Sequence, residues 1–130
     1  MNKKFLKIIR QVGFDFSWDN KKVWKLKIPT TKINISELEW HFKIPFWNYG
    51  NKKYNLKPIS VIKFPKRYNK EYRRTMDSDV SHPVEIMKNK GRWLILDGLH
   101  RLMKASILKM GKVNVRIIPR EKISEIIKND

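Results

Sequence analysis

The stretch WLILDGLHRLMKA, residues 93–105, decides how this chain is read. Trp93 to Leu96 form an apolar run of strand length. Leu99, Leu102, Met103, Ile107 and Met110 then recur at helical spacing. Asp97 and Gly98 separate the two patterns, and His100 and Arg101 follow at once. The expectation is a strand, a tight turn and a helix. A helix amino end presents unpaired N–H groups and the positive end of its dipole, both of which favour an anion. Gly98 allows a sharp turn and a close phosphate. Arg101 can hold two phosphate oxygens at once, and His100 can donate a hydrogen bond or carry a proton. Cations in a first helical turn oppose the dipole, which points to an anionic ligand. The plain alternative is that Asp97 caps the helix and Arg101 is a solvated charge. Local chemistry does not choose between the two.

Outward from this stretch, PVEIM and RWLIL flank KNKG and predict a β-hairpin with Gly91 at its turn. Downstream, Gly111 suits a helix C-terminus, VNVRII reads as a strand, and SEIIKND as a short helix or frayed end. Upstream, VWKLKI at 23–28 alternates apolar residues with lysine and predicts a half-buried strand ending at Pro29. SELE at 36–39 has the spacing of a capping box, so a short helix is expected before Pro45. Residues 40–57 interleave aromatics with lysines and read as a long structured loop. PISVIKF fits a helix start or a short strand, and Tyr68, Tyr72 and Met76 predict a helix. Phe5, Ile8, Ile9 and Val12 suggest an amphipathic helical extension within residues 1–20. The expected class is α+β, a small mixed sheet flanked by helices in one domain over 1–130.

Composition narrows the function. The chain has 130 residues, 41% of them hydrophobic, enough for a core. It has no Cys, which removes disulfides, thiolate zinc sites and cysteine nucleophiles. No apolar run approaches the roughly 20 residues of a membrane span, and a soluble cytoplasmic protein with no membrane partner is expected. Thirty Lys and Arg against twelve Asp and Glu give a formal charge of +18. Codon bias towards Lys would enrich Glu as well, and it has not. Such a surplus self-repels, and a polyanion such as DNA or RNA relieves it. Lys52, Lys53, Lys66, Arg67, Arg73 and Arg74, with Lys63, are the candidate nucleic-acid face; a solvated basic surface is the alternative.

LILDGLHRLMKASILKMGKVNVRII, with the preceding HPVEIM and GRWLIL, resembles the core motif of the ParB/sulfiredoxin-like superfamily. Its members share a strand, a Gly-x-His-Arg or Gly-x-Arg-Arg turn, a helix with a small residue, a glycine and a further strand. The similarity covers residues 80–120 well and 20–60 loosely. Sulfiredoxins carry a catalytic Cys in this turn; the matching position is Leu99, so that activity is excluded. ParB proteins bind CTP here and carry further DNA-binding and dimerisation domains, for which this chain is too short. Free-standing serine kinases of the group use ADP or ATP and carry Asp-Gly-x-His-Arg, the form closest to Asp97–Arg101. Some relatives have been called nucleases. The resemblance implies that Gly98, Leu99 (through its backbone), His100 and Arg101 hold nucleotide phosphates. Asp97 would position a nucleophile or a metal-bound water, and Glu39 would be the counterpart of the kinases' catalytic glutamate. Glu39 is explained equally well by the capping box.

Several further residues are candidates on their own chemistry. Asp77 and Asp79 could bind Mg²⁺ together with Asp97, although two acids after a helix also serve as a cap or turn. His82 could face the site or the solvent. His41, between Trp40 and Phe42, could sit over a nucleotide or pack within its loop. The aromatics of 40–57 could stack bases or form core and lid. Two functions follow as expectations: a nucleotide-dependent phosphotransferase or NTPase using ATP, ADP or CTP, or a nucleic-acid-binding protein or nuclease whose turn holds a backbone phosphate.

Overall fold

The structure, a computed structural model, describes residues 7–128. Two strands, β4 (Val84–Asn89) and β5 (Arg92–Asp97), form the predicted antiparallel hairpin. Lys90 and Gly91 fill its two-residue turn at φ 53° and 79°. Positive φ at both positions suits the twist of the flanking strands. Helix α5 (Leu99–Ile107) follows β5 after Gly98, and strand β6 (Lys112–Ile117) follows α5. Strand β6 runs parallel to β4 and antiparallel to β1 (Thr30–Asn34). The sheet is therefore four-stranded and mixed, in the order β1-β6-β4-β5.

Both faces of the central strands are covered. Val84, Ile86, Ile95, Val113 and Val115 pack beneath Leu102, Met103 and Ala105 of α5. On the opposite face, Met87, Leu96 and Ile118 meet Val23 and Ile126, while Leu94 meets Ile9, Phe14 and Tyr54. Alternate residues of a strand point to opposite faces, so an apolar run such as Leu94–Leu96 is what a doubly covered strand requires.

The rest of the chain corrects several expectations. VWKLKI is not a strand. Helix α2 (Asn20–Lys25) takes in its first half, started by Asp19, whose Oδ1 accepts from Lys21 N at 2.9 Å. Val23 is buried and Trp24 is exposed, so the alternation that suggested a strand does not mark one face. The edge strand β1 lies beyond Pro29. SELE makes no α-helix and no capping box. Two 3-10 turns, Ile35–Glu37 and Glu39–Lys43, have no side-chain cap. Pro45 disfavours the helical region at the preceding residue, leaving little room for an α-helix.

Residues 40–57 also hold more than a loop. Strands β2 (Trp47–Tyr49) and β3 (Lys52–Leu56) pair as a second, two-stranded sheet. Asn55 and Asn48 side chains supply three of its cross-links, accepting from Tyr49 N (2.7 Å) and Tyr54 N (2.8 Å) and donating to Tyr49 O (2.9 Å). Helix α3 (Pro58–Lys63) settles the PISVIKF segment, and α4 (Asn69–Asp77) is the helix expected from Tyr68, Tyr72 and Met76. The left-handed residue after α5 is Lys109 (φ 59°), not Gly111. The amino-terminal helix α1 spans only Lys7–Gln11; Ile9 is buried but Ile8 is exposed. Phe5 lies outside the described residues. A short α6 (Ile123–Ile126) forms from the tail. Among the described residues, no helix is long and apolar enough to cross a membrane.

Candidate functional site

The strand-to-helix junction is present as expected, and Gly98 makes it possible. Its backbone lies at φ 111°, ψ 20°, a region that side-chain-bearing residues rarely adopt. A Cβ there would stand 3.2 Å from both the Arg101 Cζ and the Val84 Cα. Leu102 N closes the first turn of α5 onto Gly98 O at 3.0 Å. No side chain caps this helix. Asp97 is therefore not its cap.

Asp97 and Arg101 are instead engaged with each other and with the scaffold. The Asp97 Oδ2 accepts from Trp24 Nε1 at 2.8 Å and from Arg101 Nη2 at 3.3 Å. Arg101 Nη1 donates to Pro83 O at 2.5 Å. That carbonyl lies just before β4, so Arg101 ties the start of α5 to the start of the central strand. Next to it, Glu85 stands in register with Asp97 on one side and Arg116 on the other. Arg116 Nη1 donates to Glu85 Oε2 at 2.6 Å, and the same guanidinium reaches the Leu26 and Ile28 carbonyls. Burial pushes the Glu85 carboxyl above its ordinary range, Arg116 opposes the rise, and Asp97 adds to it. Arg101 lines a cleft of about 600 Å³ with Trp24, Glu85, Asp97 and Arg116.

A different, larger cleft, about 690 Å³, opens on the other side of the turn. Asp97, Gly98, Leu99 and His100 line it, with Trp47, Arg74 and the lysines Lys21 and Lys128; Arg101 is not among its lining residues. The His100 ring stacks on Trp47, with centroids 4.4 Å apart and planes 11° apart. Its Nε2 lies 3.5 Å from Glu71 Oε2, within ion-pair reach but without hydrogen-bond geometry. The second oxygen of Glu71 accepts from Arg74 Nη1 at 3.0 Å. One buried carboxylate on α4 thus faces an imidazole and a guanidinium that line the cleft. Burial raises the Glu71 pKa, but His100 and Arg74 outweigh it and hold the group below its usual range.

Of the remaining candidates, Asp79 and His82 line the smaller cleft with Asp97 and Arg101. Asp77 is exposed at the end of α4. Asp79 accepts from Ser81 N (2.9 Å) and Ser81 Oγ (2.6 Å) and forms a turn. Asp77 does not line the smaller cleft, so the three aspartates are not brought together. Among the described residues, no three His, Asp or Glu side chains are placed to hold a metal ion. Glu39 is exposed in its 3-10 turn and does not line the cleft. His82 is 70% exposed and lies 3.7 Å from Asp79 Oδ2.

His41 is a packed histidine at the cleft floor. It is 1% exposed and stacks on Trp40. Its Nδ1 donates to Leu38 O at 2.8 Å, and its Nε2 accepts from Ile95 N at 3.0 Å. Those two bonds require the neutral ring. Burial lowers its pKa to about 3.

The sequence reading missed Glu71, and it assigned Arg74 to the surface rather than to the cleft. The only local hint was the three-residue spacing of Glu71 and Arg74 on a helix. Nothing local brings His100 to Glu71. No family model, no curated protein and no solved structure matches the chain.

Proposed function

We propose that the cleft at the amino end of α5 binds a nucleotide through its phosphates, and that the chain is a phosphotransferase or NTPase of the ParB/sulfiredoxin-like type. One observation carries this reading: an α5 amino end without a side-chain cap opens into a cleft lined by His100 and Arg74, both held by Glu71. The helix N–H groups and the Arg74 guanidinium favour an anion together. The volume suits a small-molecule site, and Trp47, Trp18 and Phe46 offer aromatic walls.

In this reading the phosphates of ATP, ADP or CTP meet the backbone of Leu99 and His100, with Arg74, Lys21 and Lys128 neutralising charge. Phosphoryl transfer depends mainly on such positioning and neutralisation. His100 takes the proton of the attacking hydroxyl or water as the new P–O bond forms and the bond to the leaving phosphate breaks. Glu71 behind it favours the resulting imidazolium. Asp97 and Arg101 hold the turn in shape. Among the described residues, Asp77, Asp79 and Asp97 do not form a cation site together.

Isothermal titration with ATP, ADP and CTP, with and without Mg²⁺, tests the reading. Binding to at least one is expected, weakened about tenfold by Arg74→Ala, the loss of one charge-assisted contact. Absence of binding to all three by the folded protein would sink it.

A further inference from the structure

The positive charge is concentrated on the elements that wall this cleft. Between residues 47 and 76 the chain carries nine Lys or Arg and one acid, Glu71. All nine cations are exposed, and Glu71 is buried. Among the described residues, only Arg74 of the nine is ion-paired, and its partner is that same glutamate. Outside this stretch, Lys90, Arg101, Arg116 and Lys122 have carboxylate partners among the described residues. Like charges left together without acids repel one another and raise the local potential.

This basic surface is continuous with the cleft. The β2–β3 hairpin contributes Trp47 and Tyr54 to the cleft wall and Lys52 and Lys53 to the outside. Its Tyr49, 48% exposed, meets Tyr68 edge-on at 4.9 Å, joining the hairpin to the start of α4. The Arg67 guanidinium lies over the other ring of that pair, 5.6 Å from the Tyr68 centroid. From there α4 carries Lys70, Arg73 and Arg74 back to the cleft, which Arg74 lines. Exposed Phe64 adds a further flat apolar surface among these cations.

Resting on the phosphate-binding reading of the cleft, we infer that its natural occupant is one nucleotide of a single-stranded nucleic acid whose neighbouring phosphates follow the β2–β3 and α4 surface. A free nucleotide would use the cleft alone and leave eight exposed cations without a role. A row of cations with interspersed aromatic rings matches a flexible strand, whose phosphates and unpaired bases are both accessible. A duplex keeps its bases stacked and paired, and a nucleotide must leave the stack to enter a pocket. The cleft and the basic surface therefore act on one strand.

Fluorescence anisotropy on the full chain tests this. The probes are a labelled single strand of roughly twelve nucleotides, as DNA and as RNA, and a blunt duplex of the same sequence. ATP and CTP serve as mononucleotide ligands, and phosphatidylserine vesicles serve as another anionic surface. The single strand is expected to bind about 100-fold more tightly than a mononucleotide, with log affinity falling against log salt by about 0.7 per phosphate neutralised. The DNA and RNA arms identify which strand is preferred. Combined Lys66→Glu, Arg67→Glu and Arg73→Glu, all at exposed positions, should weaken strand binding at least about tenfold and leave mononucleotide affinity unchanged. Circular dichroism and a thermal melt establish that this variant is folded, and Lys→Gln and Arg→Gln changes at the same sites provide a milder version.

The inference is overturned if strand and mononucleotide bind equally, if the charge reversals leave strand binding intact, or if duplex or vesicles bind as tightly as the strand. In those outcomes mononucleotide binding keeps the cleft reading alive. Failure of every nucleotide and strand to bind removes both.

Discussion

On one side of the Asp97–Arg101 turn, Asp97, Arg101 and Trp24 are tied to one another and to Pro83 O. On the other side, His100 and the first turn of α5 face a cleft, backed by Glu71 and Trp47. The same five residues thus form a brace on one side and a candidate site on the other. The difference lies in the available partners. Arg101 has a carbonyl and a carboxylate within reach, whereas the helix N–H groups have no side-chain cap. Arg74 is also paired, with Glu71, but its side chain is 62% exposed against 20% for Arg101 and so stays within reach of a ligand.

Arg101→Ala tests this division most strongly. It leaves Pro83 O and Asp97 without the guanidinium in a partly buried place, and should cost about 3 kcal/mol in urea unfolding. Nucleotide affinity per folded molecule should change little. A stable variant that has lost nucleotide binding would reverse the assignment and make Arg101 the phosphate clamp.

The cleft side should be the more acid-sensitive. His41 at its floor has a folded pKa of about 3, below its usual 6.5. Between those values the unfolded chain binds a proton that the folded chain does not. Stability is therefore complete above pH 6.5 and falls as the medium becomes more acidic. The slope should approach about 1.4 kcal/mol per pH unit. Between pH 6.5 and 4.5 the lowered carboxyls, Glu71 among them, contribute little, and the raised Glu85 carboxyl acts with the opposite sign, so the comparison with a His41 variant isolates the effect. Urea midpoints across that range should drop for the native chain and flatten for His41→Asn.

The smallest stability effect is expected for Glu71→Gln. It keeps the shape of the side chain, removes the charge facing His100 and Arg74, and should change unfolding by about 1 kcal/mol or less. Nucleotide affinity should change, because His100 and Arg74 lose the carboxylate that faces them, and an unchanged affinity would show that Glu71 only packs α4 against α5.

The strand–turn–helix unit was legible because each of its signals is local: an apolar run, a glycine where positive φ is needed, and a helical stripe. The β4–β5 hairpin was legible for the same reason. VWKLKI misled because a short alternating pattern also fits a helix with one exposed tryptophan, and the structure starts that helix at Asp19. The β2–β3 hairpin escaped because its cross-links come from Asn48 and Asn55 side chains, which carry no strand signature.

By itself, the sequence determined the α+β layout, the absence of thiol chemistry and a strand-to-helix turn at Gly98. It also determined a charge of +18. Tertiary structure alone decided which guanidinium faces the cleft. Arg101 was drawn to Pro83 O, whereas Arg74, on a helix far along the chain, was brought beside His100 by the packing of α4 on α5. A local rule can place a charge at a helix end. Whether that charge remains available depends on partners that only the folded chain brings within reach.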